Sequence, residues 1–279
     1  MESRLDIAAK IAEELEIKKW QVEAVIKLID EGNTIPFIAR YRKEAHGSLD
    51  DEQLRNLNER LTYLRNLEEK KAQVIASIEE QGKLTEELKA QIEQAQTQVV
   101  VDDLYRPYRP KRRTRATIAK EKGLEPLADI ILEQTTTEPI ENIAGDYISE
   151  EKEVNSAEDA VSGAKDIIAE IISDNADYRM YIRNITMQEG FLISNAKDEK
   201  AKSVYEMYYE FQEKLDKIVG HRILAINRGE KEKFLTVKIE APEERIIGYL
   251  KKKVLTNDNP NTNEILSETI EDSYKRLIA

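Results

Sequence analysis

The sequence predicts a mainly α-helical, multi-lobed scaffold with an N-terminal helix-turn-helix-like unit and a small two-stranded β element. Three observations carry that expectation. The 279 residues include only 10 glycines and 7 prolines, so long stretches run without a breaker. Charged residues reach 35% and hydrophobic ones 40%, the mix of exposed, ion-paired helices that bury one apolar face. Apolar residues recur three and four apart along most of the chain, and only two short stretches have strand character.

Leu5, Ala8, Ile11, Ala12 and Leu15 open the chain with helical spacing. A break near Glu16 and Ile17 precedes a second run, Val22, Val25, Ile26 and Ile29, and Gly32 stands where a glycine ends a helix. The stretch NTIPFIARYRKEAHGS reads as a loop with a short helix, Pro36 near its start having no amide to lose. The longest helix is expected from Asp50 to Gln81. Leu54, Leu57, Leu61 and Leu64 alternate three and four apart, Leu67, Val74, Ile75 and Ile78 extend the seam, Lys71 interrupts it and Gly82 stops it. Thr85 caps a further helix through Leu88 and Ile92. Pro107 and Pro110 forbid a continuous helix across DDLYRPYRPKRRTRAT and hold Arg106 and Arg109 extended. A short helix then runs to Gly123, and another starts around Pro126.

TTTEPIENIAG reads as a linker, so the chain is divided into 1–135 and 136–279. Ser156 and Asp159 make a capping-box-like start for a helix to about Asp174, and NADYRMYIRNI continues helically to Gly190. The two strands are Phe191–Ser194 and Phe234–Glu240, with SVYEMYYEFQEKLDKI between them as an amphipathic helix. Helices at Pro242–Leu255 and Asn263–Ala279 finish the chain. The last has no stop signal, which suggests a fragment boundary.

Composition excludes several functions. Cysteine is absent, so there are no disulfides and no thiolate metal sites, as suits a reducing cytoplasm. No run of 18 apolar residues exists to span a membrane, and the N-terminus lacks a signal-peptide core. There is no glycine-rich phosphate loop, GxSxG or HExxH. Of the two histidines, His46 has no ligand-type partner nearby. His221, in GHRILAINRGE with Arg222, Asn227 and Arg228, reads as a buried brace at a helix end ahead of a catalytic group. The acid pairs Asp50–Asp51 and Asp102–Asp103 fit helix N-termini, where the dipole favours them. The expectation is no enzyme, no cofactor, no metal and no small-molecule substrate.

The charge distribution is the informative feature. Net charge is −12, yet Arg106, Arg109, Lys111, Arg112, Arg113, Arg115, Lys120 and Lys122 stand together with Glu121 alone among them. That segment carries +7 and leaves −19 for everything else. Its cations suit phosphates, and Tyr105 and Tyr108 suit stacking on unpaired bases. Arginine forks pair equally well with carboxylates, so the same segment also reads as an internal clamp on acidic helices. Arg40, Arg42 and Lys43 around Tyr41 repeat the pattern on a smaller scale, with the same two readings. The N-terminal pair has helix-turn-helix spacing, but Glu13, Glu14 and Glu16 in its turn repel phosphate and only Lys18 and Lys19 begin its second helix. A packed helical pair and a DNA reader both remain open.

Three stretches, EGNTIPFIARYRKEAHGSLDDEQLRNLNERLTYLRNLEEKKAQVIASIEEQGKLT, DDLYRPYRPKRRTRATIAKEKGLEPLAD and HRILAINRGE, together resemble the Tex family of bacterial transcription accessory proteins across essentially the whole chain. Pro107 to Ala116 is similar to a family block, with Arg109 in a lysine position. The resemblance implies a helical N-terminal scaffold without catalytic activity, followed in the family by ribonuclease-H-like, helix-hairpin-helix and RNA-binding domains. It also implies RNA or DNA as partners, engaged mainly through those further domains. The expected function is therefore a non-enzymatic scaffold of a transcription accessory factor that binds nucleic acid. The alternative is a structural module docking to the transcription machinery, with the basic segment as its clamp.

Overall fold

A computed structural model of the chain describes residues 6–279. Leu5, which opens the first apolar run, lies outside the described residues. The chain forms two compact units, Met1–Tyr105 and Arg106–Ala279. The change falls at the start of the basic segment, ahead of the expected division at 135/136.

The first unit contains α1 (Ile7–Glu14), α2 (Lys19–Asp30), α3 (Ile35–Tyr41), α4 (Asp51–Glu80), α5 (Glu86–Gln94) and α6 (Gln98–Tyr105). Its spine is α4, whose stripe of Leu54, Leu57, Leu61, Leu64, Leu67, Val74 and Ile78 is buried. The other five helices pack on it. Local signals set both its ends. The Asp50 carboxylate accepts from the Gln53 amide at 2.8 Å, and the Gln53 side chain accepts from the Asp50 amide at 3.0 Å. At the far end Gly82 adopts φ +67°, so its own amide and that of Lys83 return to the Glu79 and Ile78 carbonyls at 2.8 and 3.3 Å. Lys71 does not interrupt the stripe. It is buried, and its ammonium donates to the Glu93 carbonyl in the last turn of α5 at 2.8 Å and to Glu68 at 3.0 Å. A cation is favoured at that helix end. Ile11, Ala12, Val22 and Val25 are the buried residues of α1 and α2, which pack on each other. Arg60 reaches Glu14 at 2.8 Å, and Arg65 holds Asp30 with two bonds of 2.7 and 2.9 Å.

In the second unit α7 (Arg115–Glu121), α8 (Glu125–Glu133), α9 (Ile140–Gly145), α11 (Ala176–Glu189) and α14 (Asn263–Asp272) surround α10 (Ala157–Asp174). Ala160, Ala164, Ile167, Ile168 and Ile172 of α10 are buried in one core that includes Leu124, Leu127, Ile246, Leu250 and Ile270. Helix α13 (Glu243–Val254) contributes to it, and a π-helical turn over Ser273–Ile278 ends the chain. A smaller core of Leu192, Tyr205, Tyr208, Ile226 and Leu235 lies between α12 (Gly220–Lys231) and a sheet.

That sheet corrects the sequence reading. It has three antiparallel strands, not two, in the order β2 (Glu210–Lys214), β1 (Phe191–Ala196), β3 (Leu235–Glu240). Leu192 faces Glu213 on one side and Ile239 on the other. The expected helix over residues 203–218 is instead a 3-10 turn, Glu206–Tyr208, followed by β2. Its apolar spacing fits both periods, and pairing to the open edge of β1 satisfies a backbone that a helix would have satisfied internally. TTTEPIENIAG is also not a linker, since it contains α9 with Ile140 and Ala144 buried. Helices α10 and α11 are separate: Asn175 leaves helical geometry at ψ 118° and caps α11 by accepting from the Tyr178 amide at 3.0 Å.

A basic segment anchored on one helix end

The segment from Arg106 to Lys122 opens as a turn over residues 106–108, so Arg106 is not extended as expected, and then runs irregularly to Thr114 ahead of α7. Thr114 starts that helix by accepting from the Thr117 amide at 3.1 Å, and its hydroxyl donates to Glu170 at 3.2 Å. Pro107 and Pro110 supply no amide donors and keep the chain ahead of Thr114 out of a helix.

The cations divide into two sets. Arg106 Nε donates to Asp174 Oδ1 at 3.0 Å. Lys111 forms an ion pair with Asp174 and lies 3.3 Å from Glu170. Asp174 is the last residue of α10 and is buried, so two positive charges meet a buried carboxylate at the negative end of an 18-residue helix. This half is a clamp. Arg112, Arg113, Arg115 and Lys120 are exposed. Arg113 pairs with Glu121 at 3.0 Å, both side chains more than half exposed, a contact worth at most about 1 kcal/mol. Arg115 lies in the field of Asp166 and Asp272. Lys122 donates to the Glu153 carbonyl at 3.1 Å. Arg109 is exposed, Tyr108 is half-buried, and both make contacts within the fold. Tyr105 ends α6, its hydroxyl 2.9 Å from Ser77 Oγ.

The second group lies in the last turn of α3 and the two residues after it. Arg40, Arg42 and Lys43 are exposed. The Arg42 guanidinium stands 5.3 Å from the Phe37 ring centre, and Arg40 stands 6.0 Å from that of Tyr41. Of the two lysines at the start of α2, Lys19 pairs with Asp6 and lies 3.6 Å from Glu23.

Two further sequence readings change. Asp102 and Asp103 occupy the second half of α6, not its start, because the helix begins upstream at Gln98. Asp102 accepts from Lys70 at 2.7 Å. His221 is exposed in the first turn of α12 and braces nothing as a buried group. The buried histidine is His46. Its Nδ1 accepts from the Leu49 amide at 3.1 Å, which leaves Nε2 to donate to the Ile38 carbonyl at 3.3 Å. Sequence reasoning did not find the split between anchored and exposed cations. Asp174 lies more than sixty residues from its partners, and no local pattern announces the pairing.

Among the described residues, no group of three or more His, Asp or Glu is placed to hold a metal ion. No described helix is long and apolar enough to cross a membrane.

These features define a helical scaffold carrying a basic segment tied near both ends, by Arg106 and Lys111 and by Lys122, with exposed cations between. Residues 5–79 match the Tex-like protein N-terminal domain and residues 134–275 match the Tex central region-like family. The chain belongs to the Tex family. The basic segment falls between the two matched regions. Across all of the chain it is 51% identical to "Uncharacterized protein YdcI" of Bacillus subtilis, covering 39% of that protein. Over 85% of the chain it is 42% identical to "Transcriptional accessory protein Tex" of Neisseria gonorrhoeae, covering 31% of it. The human "S1 RNA-binding domain-containing protein 1" is 30% identical over the whole chain, which spans 29% of that relative. The chain thus spans between about three and four tenths of the length of these relatives.

Proposed function

We propose that this chain is a non-catalytic scaffold of a cytoplasmic transcription accessory factor and that it engages nucleic acid through the exposed half of its basic segment. Arg112, Arg113, Arg115 and Lys120 meet the phosphates, with Arg109 and Tyr108 flanking them. Arg106 and Lys111 hold the segment to α10. The observation that carries this reading is the division itself, three cations occupied within the fold (Arg106, Lys111 and Lys122) and five exposed beside them. Support also comes from relatives whose names refer to transcription and to an S1 RNA-binding domain.

The test is a salt-dependent titration with a single-stranded oligonucleotide. Removing one side chain that neutralises a phosphate should flatten the slope of log K against log salt by about 0.7. Arg112→Ala, Arg113→Ala and Lys120→Ala together should therefore reduce it by about 2 with an unchanged melt. An unchanged slope would leave the second reading, a protein-docking module in which the whole segment is structural. Arg106, Lys111 and Lys122 favour that alternative, because each is already occupied within the fold.

A further inference from the structure

The surface around α3 belongs to the first unit and shares no residue with the basic segment. Phe37 and Tyr41 stand one helical turn apart, 37% and 61% exposed, with ring centres 5.2 Å apart and planes tilted by 46°. Arg42 and Arg40 lie over these rings, and Lys43 follows, exposed. The buried side of the same helix is held firmly. Ile38 is fully buried, and its carbonyl takes the His46 proton at 3.3 Å. Gln21 then ties α2 to this corner, its amide donating to the His46 carbonyl at 3.0 Å. Trp20, the only tryptophan, is half exposed and lies against Gly47, where an added Cβ would come within 2.7 Å of its ring. A fixed corner thus presents exposed aromatic rings and three cations in a chain of net charge −12.

We propose that this corner is a second binding surface, for single-stranded nucleic acid. It rests on the reading that the chain engages nucleic acid, but it uses different residues. Aromatic faces accept bases of any sequence by stacking, while adjacent cations neutralise the phosphates between them. The Arg42 and Arg40 guanidinium groups stand 5.3 and 6.0 Å from those ring centres, which places positive charge beside any base stacked there. An acidic peptide would satisfy Arg40, Arg42 and Lys43 but would bring no planar partner for Phe37 and Tyr41. The rings therefore choose the occupant, and the cations alone do not.

The experiment uses the whole 279-residue chain with oligo(U) and oligo(dT), followed by anisotropy and by quenching of Trp20 fluorescence. Phe37→Ala with Tyr41→Ala should weaken binding about tenfold or more, since each stacked base contributes a factor of this order. Tyr41→Phe, which keeps the ring, should bind as the parent does. The Arg112, Arg113 and Lys120 triple-alanine variant should still photocross-link at Tyr41. If the double variant binds within about twofold of the parent while the triple variant loses binding, this proposal falls and the reading above stands. If the double variant weakens and the triple does not, the reverse holds. Ultraviolet cross-linking of the parent chain gives an answer independent of folding. A cross-linked peptide containing Tyr41 supports the site, and cross-links confined to residues 104–122 overturn it. Displacement of the oligonucleotide by oligoglutamate at equal charge would also overturn it. RNA and DNA arms that bind alike fit stacking, whereas failure of both sinks this proposal and the reading above together.

Discussion

Asp174 ends α10 with its side chain 10% exposed, and the C-terminal end of a helix disfavours a negative charge. Arg106 and Lys111 make the position tenable. Their removal together should leave a poorly hydrated carboxylate beside Glu170. Both cations retain some exposure, so the expected loss is about 2 kcal/mol, below the range for a fully buried pair. Arg112→Ala should change stability by no more than about 0.5 kcal/mol. Urea unfolding of the three proteins tests this, and equal midpoints would show that Asp174 needs neither cation. Adding Asp174→Asn to the double variant should recover much of the loss, because the stranded charge is then gone. At this scale the sequence was only half readable. It revealed eight clustered cations, whereas which of them would be occupied depended on a carboxylate brought in by the second unit's fold.

Helix α4 shows what was readable at the scale of elements. Asp50, Gln53 and Gly82 mark its ends by contacts within a few residues, and its apolar stripe has one period along 30 residues. The stretch from Ser203 to Ile218 shows the opposite. Tyr205, Tyr208 and Phe211 fit a helix as well as a turn and strand, and the deciding contact is with β1, fixed only in three dimensions. Residues 140–145 fail for a related reason: six residues are too few to display a period, and α9 is stabilised by burying Ile140 and Ala144. Packing also reverses propensity between α7 and α10. A Cβ at Gly163 would collide with Leu124 and lie 3.4 Å from Ala119 Cβ. In an isolated helix Gly163→Val would be mildly favourable, by roughly a few tenths of a kcal/mol. In the folded chain it should cost about 2 kcal/mol, because Leu124 is buried and cannot move aside freely. A thermal melt gives the sign, and any stabilisation would mean that α7 is not closely seated on α10.

For the whole molecule, the balance of charge sets the response to pH. Arg60, Arg65 and Arg276 hold the carboxyls of Glu14, Asp30 and Asp272 below their ordinary values by hydrogen bonding to them. Stability from such groups is fully present above the usual carboxylate range near pH ~4 and is lost only as pH falls through the lowered values. Nothing is lost from them between pH ~7 and ~5. Asp166 has the opposite sign. Burial raises its value, so its charged form weakens the fold at neutral pH, and proton uptake on acidification relieves that. Acidification also brings the chain from −12 toward neutrality at its isoelectric point near 5.0, which removes self-repulsion. The melting temperature should therefore hold or rise from pH ~7 to ~5 and fall below pH ~4. Over the same interval the arginines of the basic segment keep their charge while the acidic background shrinks, so oligonucleotide affinity at fixed ionic strength should increase. A melting series and a binding series across that range read the two effects separately. A melt that declines across that interval would assign stability to ionised carboxylates beyond these ion pairs. Affinity that falls would show that the acidic surface is not what opposes the polyanion.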